Sequence, residues 1–195
     1  MAVIAYQYRG DLVDQIHRGH IAVTDHTGRI LWKLGDPERL TFARSSAKPL
    51  QAIPVAESGA LEHYGITPQE LAVICSSHNG EPFHVKAVES ILHKAGLSPD
   101  QLCCGSEYPM YVPAEDALKI AGIPRAPIYC DCSGKHAGML ITAHHFGESL
   151  ENYTALEHPV QQRILSVFAE MCGVETSEVQ LAVDGCGVPV HALPL

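Results

Sequence analysis

Short apolar runs alternate with polar residues along the first 34 positions: Val3-Ile4-Ala5-Tyr6, Leu12-Val13, Ile21-Ala22-Val23 and Ile30-Leu31-Trp32. Arg9-Gly10-Asp11, Arg18-Gly19-His20 and His26-Thr27-Gly28 punctuate them. Alternation broken by glycine-bearing turns predicts an antiparallel meander of three or four strands. After a loop at Gly35-Asp36-Pro37-Glu38 the period lengthens. Thr67-Pro68-Gln69-Glu70 is a capping box with proline at the first helical position. Between His84 and Leu97, Val85, Val88, Ile91, Leu92 and Ala95 recur at helical spacing, with a stop at Gly96. Ser98-Pro99-Asp100 starts a short turn. Gly134–Phe146 and Pro159–Cys172 read as further helices, the second ended by Gly173. Val179–Val183 reads as a buried strand running into Asp184-Gly185-Cys186-Gly187. Strands first and helices afterwards predict an α+β fold, organised as a single domain over residues 1–195.

Composition narrows the function classes. The chain has 195 residues, 46% of them hydrophobic and 18% charged, which provides for a core and argues against disorder. Its formal charge of −9, with no basic run, argues against a nucleic-acid partner. Polar residues follow Met1-Ala2-Val3-Ile4 at once, and no apolar stretch approaches the roughly 20 residues that cross a bilayer. The expectation is a cytoplasmic protein without a membrane partner. Seven cysteines, an odd number, fit reduced and mostly buried thiols better than a disulfide framework.

Four segments carry candidate chemistry. Arg44-Ser45-Ser46-Ala47-Lys48-Pro49 contains Ser-x-x-Lys, whose i, i+3 spacing puts the amine on the hydroxyl's face of a helix. Pro49 fits a first helical turn, whose free N–H groups suit an oxyanion. Such a lysine can act as a general base in a desolvated site, although a serine cap with a solvated lysine has the same spelling. Cys75-Ser76-Ser77-His78-Asn79-Gly80-Glu81 follows an apolar segment and either faces a cleft or ends a helix in a turn. Cys130-Asp131-Cys132-Ser133-Gly134-Lys135-His136 precedes an apolar helix; it lacks the phosphate-loop pattern but leaves room for one to three thiolate metal ligands. Asp184-Gly185-Cys186-Gly187-Val188-Pro189 is a tight turn after a strand, with glycines that allow close approach to its cysteine.

Taken in order, these segments resemble the type II asparaginase family of the rhizobial, thermolabile kind. The resemblance also takes in His17-Arg18-Gly19-His20 and His158-Pro159-Val160-Gln161, so it spreads over nearly the whole chain. It implies a fold like the serine β-lactamases and related glutaminases, and hydrolysis of L-asparagine to L-aspartate and ammonia. By the same resemblance Ser45 is the nucleophile, Lys48 its base, and Ser77 a second serine that relays a proton or closes the network. Cys132, Lys135 and Cys186 would hold a zinc ion (Zn2+) that positions substrate. Arg44, His78 and Asp184 would bind the charged ends of the amino acid. A homodimer fits the resemblance. Family members continue past Leu195 and draw the lysine of a second Ser–Lys pair from that later part. These 195 residues are therefore expected to be an N-terminal portion of the full family length. Other readings are a glutaminase or another serine β-lactamase-like hydrolase, and a non-catalytic metal-binding or inactive fragment. The absence of a Lys-Thr-Gly-like strand counts against β-lactam chemistry.

Overall fold

The computed structural model describes residues 1–194; Leu195, the end of the apolar terminal run, lies outside the described residues. Chain contacts divide it into two units, one of residues 1–42 with the chain from Ala192 onward, the other Ala43–His191.

In the first unit β1 (Ala2–Arg9) and β2 (Leu12–Gly19) form one antiparallel hairpin, with Ala2 opposite Gly19 and Arg9 opposite Leu12. A second hairpin joins β3 (Ile21–Thr24) to β4 (Ile30–Leu34), with Ile21 opposite Leu34. The meander is thus corrected to two separate two-stranded sheets. Only His20 lies between β2 and β3, and one residue cannot turn a strand back on its neighbour, because hairpin loops need at least about two. The His20 ring instead accepts the Asp36 N–H at 2.8 Å, so it ties the end of β4 to the start of β3. A short strand, β5 (Leu40–Phe42), pairs with Ala192–Pro194. The alternation in the first hairpin does not translate into one buried face: Tyr6, Tyr8, Leu12, Val13 and Ile16 are all exposed.

The second unit is built of helices: α1 (Lys48–Glu57), α2 (Ala60–Tyr64), α3 (Pro68–Ile74), α4 (Pro82–Lys94), α5 (Val112–Ile120), α6 (Ser133–His145) and α7 (Pro159–Cys172). The capping box forms as spelled: the Thr67 hydroxyl accepts the Glu70 N–H and the Glu70 carboxylate accepts the Thr67 N–H at 2.7 Å. That carboxylate also takes Lys94 at 2.7 Å, which clamps the start of α3 to the end of α4. Gly173 ends α7 in the left-handed conformation, as predicted.

Helix α6 is the centre of the core. Every residue from Ser133 to Ala143 is buried, and α1, α3, α4 and α7 pack around it. A helix buried all round must let its neighbours approach on every side, and two glycines one turn apart provide this on the α3 side. A Cβ on Gly134 would collide with the Val73 carbonyl, and one on Gly138 would come within 2.6 Å of the Ile74 side chain.

Strand β6 (Gln180–Val183) neighbours β7 (Pro189–Pro194). The prediction of a buried strand here is corrected: Gln180 and Ala182 are exposed, and Val183 is 78% exposed. Burial passes instead to β7, where Pro189 through Ala192 are buried. No helix among the described residues is long and apolar enough to cross a membrane.

Candidate active site

The chain enters α1 through a single 3-10 turn, Arg44–Ala47. Arg44 has φ +48°, the one positive φ outside glycine among the described residues. A side chain in this region costs about 1–3 kcal/mol, and such strain persists only where the surroundings over-determine it. The next residue is Ser45, whose side chain is exposed, whereas Lys48 at the head of α1 turns inward and is 1% exposed. Pro49 occupies the first turn, as its missing N–H allows.

The two side chains of the Ser-x-x-Lys segment are joined through a third. Lys48 Nζ donates to Ser77 Oγ at 2.6 Å, and Ser77 Oγ donates to Ser45 Oγ at 3.0 Å. No direct Ser45–Lys48 hydrogen bond occurs among the described residues. The i, i+3 expectation of direct contact is therefore corrected, because the 3-10 turn leaves Ser45 outward while Lys48 runs into the interior. Ser77 follows the end of α3, so the close approach of α3 to α6 sets its place. Lys48 also donates to the Asp131 carbonyl at 3.5 Å.

Ser45 opens onto a cavity of about 340 Å³, bordered also by Arg44, Glu107, Asp131, Cys132, Asp184 and Cys186. Segments far apart in sequence, 44–45, 104–110, 130–132 and 184–186, thus converge on one space. The family model for L-asparaginase II matches residues 5–195. The chain belongs to the L-asparaginase II family. No curated protein matches it. The family is one of amidohydrolases, with asparagine as its small-molecule substrate.

The remaining residues expected in an asparaginase site fall into two groups. Arg44 and Asp184 border the cavity but pair with each other at 3.4 Å. Asp184 Oδ1 accepts the Gly185 N–H as well, and Oδ2 takes the Cys186 thiol at 3.8 Å. Asp184 therefore faces the exposed guanidinium rather than standing free. His78 is buried behind the cavity wall, outside its lining. Its Nδ1 accepts the Gly80 N–H at 3.1 Å, which leaves the proton on Nε2 to donate to Ser133 Oγ at 2.8 Å. Burial, with electrostatic repulsion from the neighbouring His84 and Lys48, lowers its pKa to about 4, so the ring is neutral. The tight turn that positions it needs Gly80: at φ +71°, a Cβ would come within 2.8 Å of Pro109.

Cys132, Lys135 and Cys186 are brought together and buried, at 6%, 4% and 7% exposure. The two thiols are close enough to act on each other, and the Lys135 charge acts on both. Hydrogen bonding from Cys132 and burial push Cys186 up to about 11; the Cys130 contact and burial raise Cys132. Among the described residues no group of three or more His, Cys, Asp or Glu side chains could hold a metal ion, so a site here needs the lysine nitrogen as its third donor. Two sulfurs and a nitrogen suit zinc. Behind Cys186 lies a buried relay that sequence reading missed. Tyr153 Oη accepts the Cys103 N–H at 2.7 Å and donates to His136 Nδ1 at 2.8 Å, so the His136 proton sits on Nε2. That nitrogen is buried without a hydrogen-bond partner, and the Cys186 thiol is near enough to act on the ring. The His158-Pro159-Val160-Gln161 segment supports this relay: His158 caps α7 and Gln161 donates to the Tyr153 carbonyl at 2.7 Å.

Proposed function

We propose that this chain hydrolyses the side-chain amide of L-asparagine through a serine nucleophile, Ser45, activated by Lys48 across Ser77. The observation that carries the reading is the Lys48–Ser77–Ser45 hydrogen-bond chain ending on the cavity. Activation reverses both hydrogen bonds: the Lys48 amine accepts the Ser77 proton as Ser77 takes that of Ser45. The freed Oγ then bonds to the amide carbon, and the carbonyl oxygen takes up the negative charge of the tetrahedral intermediate. Returning that proton to the amide nitrogen breaks the C–N bond and releases ammonia, leaving an aspartyl ester on Ser45. Water, deprotonated along the same path, cleaves the ester to L-aspartate and restores the serine. Arg44, facing Asp184, suits the substrate carboxylate as a forked donor. Fixing that end orients the amide for attack.

Cys132, Lys135 and Cys186 would hold a zinc ion, and His136 would orient the Cys186 sulfur. A bound zinc ion supplies electrostatic positioning of a polar substrate group. The test is ammonia release from L-asparagine and from L-glutamine, with Ser45→Ala as control. Release from L-asparagine that disappears in S45A is the expected result; release that survives in S45A removes the serine mechanism.

A further inference from the structure

Three acidic residues border the cavity, Glu107, Asp131 and Asp184, and Arg44 is the cation among the lining residues. An amino acid bound there presents a carboxylate, which Arg44 can take, and an ammonium, which needs an acid. Asp184 already carries a cation: its Oδ1 faces Arg44 at 3.4 Å and accepts the Gly185 N–H, while Oδ2 has only a long contact from the Cys186 thiol at 3.8 Å. The Asp131 carboxylate makes one long contact, from the Cys130 thiol at 3.7 Å, and forms no ion pair among the described residues.

Its place relative to the reacting serine is set by its own backbone. The Asp131 carbonyl accepts Lys48 Nζ at 3.5 Å and the His78 N–H at 3.2 Å. Lys48 is in turn bonded to Ser77, and Ser77 to Ser45. In asparagine the ammonium is attached two carbons from the amide carbon, about 3–4 Å away. An acceptor for it must therefore belong to a residue anchored next to the Ser45–Lys48 machinery, and Asp131 is so anchored. Glu107 sits on an exposed segment fixed by paired backbone bonds to Ala126 and makes no hydrogen bond to Ser45, Lys48 or Ser77 among the described residues.

Resting on the asparaginase reading above, we infer that the Asp131 carboxylate accepts the substrate α-ammonium. It thereby makes the site select an α-amino acid amide over the same amide lacking its amine. Asp131→Asn keeps the size of the side chain and both backbone contacts while removing the charge.

The experiment compares L-asparagine with succinamate, which is asparagine without its α-amine, in the intact chain, D131N and Glu107→Gln. In parallel, calorimetry compares binding of L-aspartate and succinate. The advantage of the amine-bearing compound, as a ratio of kcat/KM or of Kd, is expected to fall about tenfold or more in D131N. A ratio unchanged in D131N overturns the assignment, as does an equal loss for both compounds, which marks a purely structural role. A selective fall in E107Q but not D131N moves the ammonium to Glu107 and overturns it too. A native chain that binds the product pair but hydrolyses neither amide removes the catalytic reading, and the binding ratio still decides the Asp131 assignment. A native chain that neither binds nor hydrolyses removes both.

Discussion

Replacing Gly134 by alanine sets two effects of known size against each other. In an exposed helix interior alanine is better than glycine by about 1 kcal/mol. At position 134 the added Cβ runs into the Val73 carbonyl oxygen and comes within 2.8 Å of the carbonyl carbon and of Val73 Cγ1. The obstacle is backbone, so no rotamer change relieves it. Restoring contact at about 3.5 Å requires α3 and α6 to separate by about 1 Å. Overpacking of this kind costs about 1–3 kcal/mol, more than propensity returns, and the balance is a net loss of about 1–2 kcal/mol. The same displacement carries Ser77, three residues past the end of α3, away from Lys48, and a 2.6 Å hydrogen bond does not survive it. A misplacement of about 1 Å can lower turnover about a hundredfold. Urea unfolding and ammonia release on G134A check both halves, with the midpoint falling and kcat dropping further than stability alone explains. A variant as stable as the native chain, with undiminished kcat, would refute the claim that the α3–α6 approach sets the site.

Other expectations concern the relay, the metal and pH. Ser77→Ala should lower kcat by about 10²–10⁴ with little change in KM, since it cuts the proton path without touching substrate; steady-state kinetics decide, and a mainly KM effect speaks against the relay. The native chain should carry about one zinc per molecule by elemental analysis, lost in Cys132→Ala and in Cys186→Ala; equal metal content in all three contradicts the assignment. His78, neutral in the fold with its pKa at about 4, contributes stability that is present above its unfolded value near 6.5 and lost as pH falls from there toward 4. Burial of Glu70 would raise its pKa, but hydrogen bonds from Lys94, Thr67 and Ser90 outweigh it and bring the group to about 2. Its contribution, about 1–2 kcal/mol after screening, is complete above pH 4.5 and disappears toward 2. Denaturant melts across pH should therefore show Glu70→Gln flattening the lower window and leaving the upper one.

Much of the helical half was legible in the sequence because its signals are local. The Thr67–Glu70 box, the periodic apolar face of α4 and the Gly173 stop each depend on residues within one or two turns. The first hairpins were legible as strands but not in their pairing, because alternation does not say which strand is a neighbour. Burial of the last strands was assigned to β6 instead of β7, since both are short apolar runs and only tertiary packing separates them. In the candidate site, Ser45, Lys48 and Ser77 were singled out and lie in one hydrogen-bond chain, but their order along it was not legible. Spacing along a helix cannot reveal that a residue from another element stands between two neighbours. Asp131, Tyr153 and Gln161 were missed because their roles come from backbone carbonyls and buried hydroxyl contacts made across the fold.

The claim that Ser45 is the nucleophile is tested most directly by trapping the intermediate. The chain is mixed with L-asparagine, quenched in acid during the first turnovers, and digested for peptide mass mapping. The account predicts a gain of one aspartyl group confined to Ser45, present in the native chain and absent from S45A. An aspartyl group on Ser77 or a cysteine, or turnover with none on Ser45, would contradict it.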